Sequence, residues 1–242
     1  MISPLKNILP LSLSRLESGV AIFHSPTSLV EYNRLNAVEV GTTLTQYNTG
    51  SLSGFDLSNP TALGKPTVLS NGILFDGVND ELSCNVTNFL HGYATWVTHY
   101  VINYTAGVVV LSASNGVNKF VSQNITNSNQ PQIYINDGAL NIKRSGVALT
   151  TGTYIITDIQ DGVTGKILVN GVEVGSYDNN TLGAKTWSTV NTTKLSIGMI
   201  YLTANSFTAL NYRYIAIEPY VNLATAQAQA STLATALTNN EL

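Results

Sequence analysis

Asp76, Asn79 and Asp80 place three oxygen-bearing side chains on one short turn, inside the segment Gly72-Ile73-Leu74-Phe75-Asp76-Gly77-Val78-Asn79-Asp80-Glu81-Leu82. A hard cation such as Ca²⁺ takes about six to eight oxygen ligands from a rigid loop. These three residues could supply part of such a set. They could equally shape the turn by hydrogen bonding to their own backbone, with Gly77 supplying a positive φ. Catalysis has less to build on. Glycoside hydrolysis needs two carboxylates roughly 5–9 Å apart, and on a strand residues i and i+2 share a face. A Glu-x-Asp or Glu-x-x-x-Glu array would therefore be expected, and the chain has none. Asp158 and Asp161 read as turn residues, Glu173, Asp178 and Glu218 are isolated, and Asp80 and Glu81 point oppositely if extended. His24, His91 and His99 lack the spacing of a helical metal pair. Cys84 is the single cysteine, which rules out an intrachain disulfide and a thiolate cluster. No Gly-x-Ser-x-Gly elbow supports a hydrolytic triad. The expectation is binding without chemistry.

Sugars stack their apolar faces on aromatic rings while their hydroxyls bond to nearby amides. Trp96, on an alternating stretch, reads as core. Trp187, in the turn-rich Lys185-Thr186-Trp187-Ser188, is the candidate for an exposed platform, with Tyr177 and Asn179 near it in sequence. Packing of Trp187 over a sandwich edge is the alternative.

The elements that must position these residues are short apolar runs separated by Gly, Asn, Asp and Pro, the pattern of an all-β sandwich. Val20–Phe23 reads as a first short strand, followed by an irregular stretch over 24–50. Ala94–Ile102 and Gly107–Ala113 are the strongest strands. Asp137-Gly138 marks a hairpin, and Asn170-Gly171, between Ile167-Leu168-Val169 and Val172-Glu173-Val174, marks a two-residue type I′ hairpin. The tail carries Leu223, Ala226, Ala230, Leu233 and Leu237 near helical spacing, with Asn222 as N-cap. This gives an N-terminal arm over 1–20, one domain over 21–220, and a helix within 221–242 that packs on the domain or on a partner.

With 242 residues, 44% of them hydrophobic, the chain can bury a sizeable core. Only 10% are charged, against about a quarter in ordinary domains. The net charge of −3 and the absence of a basic run exclude the electrostatic footprint of a nucleic-acid binder. No run approaches the roughly 18 apolar residues of a membrane span, and the proline-broken start lacks a signal-peptide core. A surface rich in Asn, Thr and Ser suits an assembly or an extracellular setting, as in a virion component.

Gly72–Leu82, the Trp96 strand, the hairpin Gly165–Val174, Leu195-Ser196-Ile197-Gly198 and the closing Tyr214-Ile215-Ala216-Ile217-Glu218 together resemble the concanavalin A-like, laminin-G-like jelly rolls. The likeness covers roughly residues 50–238, by strand spacing. The resemblance implies an all-β concanavalin A-like jelly-roll sandwich with a short N-terminal arm and a C-terminal helix. It further implies a glycan-binding or adhesive role. Together with the composition, this points to a non-catalytic virion structural protein, of bacteriophage origin, at the virion surface. Its expected partners are a host-surface glycan receptor, other virion proteins and further copies of itself. A purely architectural virion component, a cellular carbohydrate-binding module and a glycoside hydrolase are the alternatives.

Overall fold

The computed structural model of the protein describes residues 22–86, 95–106, 108–114, 119–126, 128–137, 140–145, 147–160, 165–174, 176–178, 194–200 and 206–242. Two antiparallel sheets carry the chain. The first runs β15 (Val172–Glu173), β14 (Gly165–Val169), β13 (Gly152–Gln160), β8 (Trp96–Tyr104), β20 (Ala209–Glu218), β6 (Gly72–Asp76) and β5 (Thr67–Leu69), with β1 (Val30–Asn33) also paired to β20. The second runs β16 (Ser176–Asp178), β12 (Leu140–Ser145), β11 (Pro131–Asp137), β10 (Lys119–Ile125), β9 (Val108–Ser114), β17 (Lys194–Ile197), β7 (Leu82–Asn85), β4 (Leu57–Ser58), β3 (Thr43–Gln46) and β2 (Ala37–Val40). A small ribbon pairs β18 (Met199–Ile200) with β19 (Ser206–Phe207). This is the all-β sandwich expected from the strand pattern, in the concanavalin A-like form that the resemblance implies.

Side-chain alternation sorts the faces. Between the sheets lie Ile73, Phe75, Trp96, Tyr100, Leu111, Ile133, Leu195, Ile197, Ile215 and Ile217, all inaccessible to solvent. Tyr214 and Ala216 of β20 point the other way, toward helix α1 (Leu223–Thr238). The helix begins where Asn222 Oδ1 accepts the Thr225 N–H at 2.8 Å, which satisfies one of the otherwise unpaired donors of its first turn. Ala226, Ala230, Leu233 and Ala236 form its buried stripe, and their small size lets the helix lie close on the outer face of the first sheet. The helix therefore packs on its own sandwich. Among the described residues no helix is long and apolar enough to cross a membrane.

The Asn170-Gly171 hairpin forms as expected. Both residues adopt positive φ, 52° and 79°, and Val169 faces Val172. Asn136 pairs with Leu140 around the Asp137 turn, of which Gly138 lies outside the described residues. Of the strand expected over Val20–Phe23, Val20 and Ala21 lie outside the described residues, and the rest is corrected. Ile22 and Phe23 belong to no strand, and the stretch taken as irregular supplies β1, β2 and β3. Phe23 instead donates its N–H to the Glu241 carbonyl at 3.1 Å, so the segment's backbone is satisfied by the C-terminal tail rather than by a ladder. The expected arm, residues 1–20, lies outside the described residues.

At the Asp76 turn, Gly77 has φ 78°, and a Cβ there would meet the Ala209 backbone nitrogen at 2.7 Å. The left-handed backbone alone costs a non-glycine residue about 1–2 kcal/mol. Gly77→Ala is therefore expected to destabilise the fold by about 2 kcal/mol. Urea unfolding measures this, and an unchanged midpoint would contradict the assignment.

Candidate functional site

The pairing of β1 with β20 sets Glu31 opposite Ala216. Glu218, two residues further along β20, then lies diagonally across from Glu31 on the same outer face, a separation of roughly 7–8 Å between backbones. Both carboxylates are buried, Glu31 fully and Glu218 at 2% exposure. Glu31 accepts the Ser25 N–H at 3.1 Å, the Tyr214 hydroxyl at 3.0 Å and His24 Nδ1 at its other oxygen. Glu218 accepts the hydroxyls of Ser25 at 2.8 Å and Thr27 at 2.7 Å, with Ser28 at 3.4 Å, and the Gln229 side-chain amide from α1. The two acids thus staple the segment 23–28 and the helix to the sheet.

Beside them, His99 of β8 is 1% exposed. Its Nε2 lies 3.2 Å from Gln229 Oε1 and its Nδ1 lies 2.9 Å from Thr157 Oγ1. An amide oxygen can only accept, so Nε2 carries the proton and Nδ1 accepts from Thr157. Burial pushes the His99 pKa down, opposed by the Glu218 charge and the bond to Gln229. With a depressed pKa in the folded state, this histidine favours folding above its ordinary value near 6.5 and loses that contribution as pH falls below it.

A cavity of about 340 Å³ opens over this network. Phe23, His24, Pro26 and Thr27 form one wall, Thr232 and Leu233 of α1 the other, and His99, Tyr214, Glu218 and Gln229 line the space between. The Phe23 and Tyr214 rings meet edge to face, with centroids 5.5 Å apart. Hydrogen-bonding groups and apolar ring surface therefore share one small concave site.

The outer face of the second sheet offers a different polar surface. Ser58, Ser83, Ser196, Ser112 and Ser122 align as a row across neighbouring strands. Ser83, Ser112, Ser122 and Ser196 are buried, and Ser112 donates to the Met199 carbonyl at 2.6 Å. Such hydroxyls are covered, whereas the pocket is open.

The turn acids serve local structure. Asp76 Oδ1 accepts the N–H groups of Val78 at 2.7 Å and Asn79 at 3.3 Å, and Asp80 Oδ2 accepts that of Asp76 at 2.8 Å. The bond from Val78 leads the causes that lower the Asp76 pKa, whereas burial raises that of Asp80. Among the described residues, no group of three or more His, Cys, Asp or Glu is placed to hold a metal. Trp187 and Asn179 lie outside the described residues. The Tyr177 backbone sits on β16 opposite Arg144, on the other sheet from the pocket. Trp96 is core, as expected. Burial pushes the Cys84 thiol up to about 12, which leaves it an inert thiol at neutral pH.

Asp158 is a correction. It lies not in a turn but within β13, opposite Thr98 and fully buried. Burial pushes its carboxyl up to about 8, and the neighbouring Tyr100 hydroxyl pulls the other way. Glu31 and Gln229 escaped the sequence reading, which set Glu218 aside as isolated and His99 as lacking metal spacing. Glu31 sat in a stretch read as irregular, and Glu218 finds its partners in the N-terminal segment and on α1.

No family model matches the chain, and no curated protein matches it in sequence. Its fold is found in solved structures. Trypanosoma rangeli sialidase in complex with sialic acid aligns with a TM-score of 0.61 at 10% identity, covering 89% of this chain and 34% of that one. A mutant of Trypanosoma rangeli sialidase displaying trans-sialidase activity aligns at 0.60 and 12% identity, covering 88% and 33%. The CBM40 of Ruminococcus gnavus IT-sialidase, bound to α2,3 sialyllactose, aligns at 0.47 and 13% identity, covering 56% and 80%. The chain spans about a third of the length of the Trypanosoma rangeli sialidases. The likeness is one of fold: this chain is built as a concanavalin A-like jelly-roll sandwich, similar to part of those sialidase structures.

Proposed function

We propose that the protein is a non-catalytic glycan-binding jelly roll, with a sugar seated in the pocket between residues 23–27 and α1. One observation carries this reading. In a cavity of about 340 Å³, hydroxyl, amide and carboxylate groups of Thr27, Gln229 and Glu218 stand beside the apolar surfaces of Phe23, Tyr214 and Leu233. Small-ligand sites are concave spaces of roughly 300–1,000 Å³ with a few polar groups set among apolar walls, and sugars need both kinds of surface. The finer form of the proposal is attachment to host-surface glycans from a virion or another extracellular surface. There repeated copies would multiply a weak single-site affinity. It draws on the low charge and the amide- and hydroxyl-rich composition.

Glu31 and Glu218 do not act as a hydrolytic pair in this reading. A general acid must present its proton to the substrate, and both carboxylates are occupied by donors from the protein itself.

A glycan array probed with the purified chain tests the proposal. Binding that is lost on blocking the pocket with Thr232→Trp is the expected result. Absence of any glycan binding, with firm incorporation into particles, would leave an architectural role instead. Release of reducing ends from a polysaccharide would establish an enzyme. The same array tests the second candidate surface, Tyr177, Asn179 and Trp187, through Trp187→Ala. Chelation during the assay tests Ca²⁺ at Asp76, Asn79 and Asp80.

A further inference from the structure

Among the described residues, no Lys or Arg stands against the Glu218 carboxylate. Glu31 meets the His24 ring at Nδ1. Among the described residues, Glu218 is met by neutral donors, the hydroxyls of Ser25, Thr27 and Ser28 and the amide of Gln229. These fill the carboxylate's lone pairs without cancelling its charge. The other titratable groups at the pocket are His24, already paired with Glu31, the buried His99, and Tyr214, whose hydroxyl donates to Glu31. Among the described residues no Lys or Arg lines the pocket.

A buried charge without a partner is costly, and low-dielectric walls focus its field into the open space. The pocket is therefore electronegative. The Phe23 and Tyr214 rings line the same space.

We propose that the pocket selects a sugar carrying a protonated amine and rejects carboxylated sugars such as sialic acid. The inference rests on the glycan-binding reading and names the ligand class of that same site. It also separates this chain from the sialic acid seen with the Trypanosoma rangeli sialidase of similar fold.

Isothermal titration of the full chain tests it with three probes: a trimer of glucosamine, the fully N-acetylated trimer, and 3′-sialyllactose. The amine trimer is expected to bind at least about tenfold more tightly than its acetylated counterpart, as a Coulomb contribution at short range implies. No binding heat is expected from sialyllactose. Glu218→Gln should abolish the preference between the two trimers. Thr232→Lys sets a cation on the exposed rim without touching the core and should weaken binding of the amine trimer. Equal binding of the two trimers would overturn the selection and leave the glycan reading standing, as would sialyllactose binding blocked by Thr232→Trp. Binding of no sugar here or on the array would overturn both.

Discussion

Replacing Asp158 by Asn is expected to stabilise the protein at pH 7 by on the order of 2–4 kcal/mol. The carboxyl is fully buried, and burial raises its pKa to about 8. In the unfolded chain an aspartate titrates near 3.9. Between about pH 4 and pH 8 the folded state therefore holds a proton that the unfolded state has released. Stability then falls as pH rises through that window, by about 1.4 kcal/mol per pH unit. Below the window the contribution is level, and above it the loss is complete. Asn keeps the shape and an oxygen for the Tyr100 hydroxyl but cannot ionise. The gain should appear as a rise in Tm of about 2–4 °C per kcal/mol for a domain of this size. The decisive measurement is the difference between wild type and variant as a function of pH, because contributions from His99 and every other group cancel in it. Two parallel curves would show that Asp158 is ionised in the fold and would refute the prediction.

Glu31→Ala is expected to have the largest effect in the opposite direction, a loss of about 2–4 kcal/mol. Truncation leaves the Ser25 N–H and the Tyr214 hydroxyl without their acceptor, and each orphaned buried donor costs about 1–3 kcal/mol. It also frees His24. The segment 22–28 should become susceptible to protease while the sandwich stays folded, and amide exchange should rise along the α1 face that borders it. Glu31→Gln retains an acceptor and should lose less. A loss below about 0.5 kcal/mol, with the segment still protected, would show that the staple carries no weight. The Glu218 bonds to Ser25 and Thr27 hold the same segment from the other side. The double variant should therefore cost less than the sum of the single losses, as expected for residues that share a partner.

Local rules made much of the fold legible. Asn-Gly between two apolar runs demands positive φ at both positions, and that is the conformation of Asn170 and Gly171. Asn222 ahead of a periodic apolar stripe specified the N-cap and the buried face of α1. Trp96 on an alternating stretch could be assigned to the core. Asp76 shaped its turn through bonds to Val78 and Asn79, two and three residues away, and such reach is readable along the chain. The first strand was not readable in this way. Val30–Asn33 is too short to show alternation and is fixed by its pairing to β20.

The sequence by itself determined a two-sheet β sandwich ending in an amphipathic helix, because turn chemistry, alternation and capping act over a few residues. The tertiary structure alone decided the pocket. Glu31 meets Tyr214 across two paired strands, Glu218 reaches both Ser25 and Gln229, and His99 bonds to the helix through Gln229. Spacing along the chain cannot encode these meetings, because they depend on strand order, on register, and on which face of the sheet the helix covers. Asp158 makes the same point from inside the sandwich. An aspartate near Asp161-Gly162 reads locally as a turn residue, yet pairing with Thr98 fixes it on β13 inside the fold, where burial rather than sequence sets its charge.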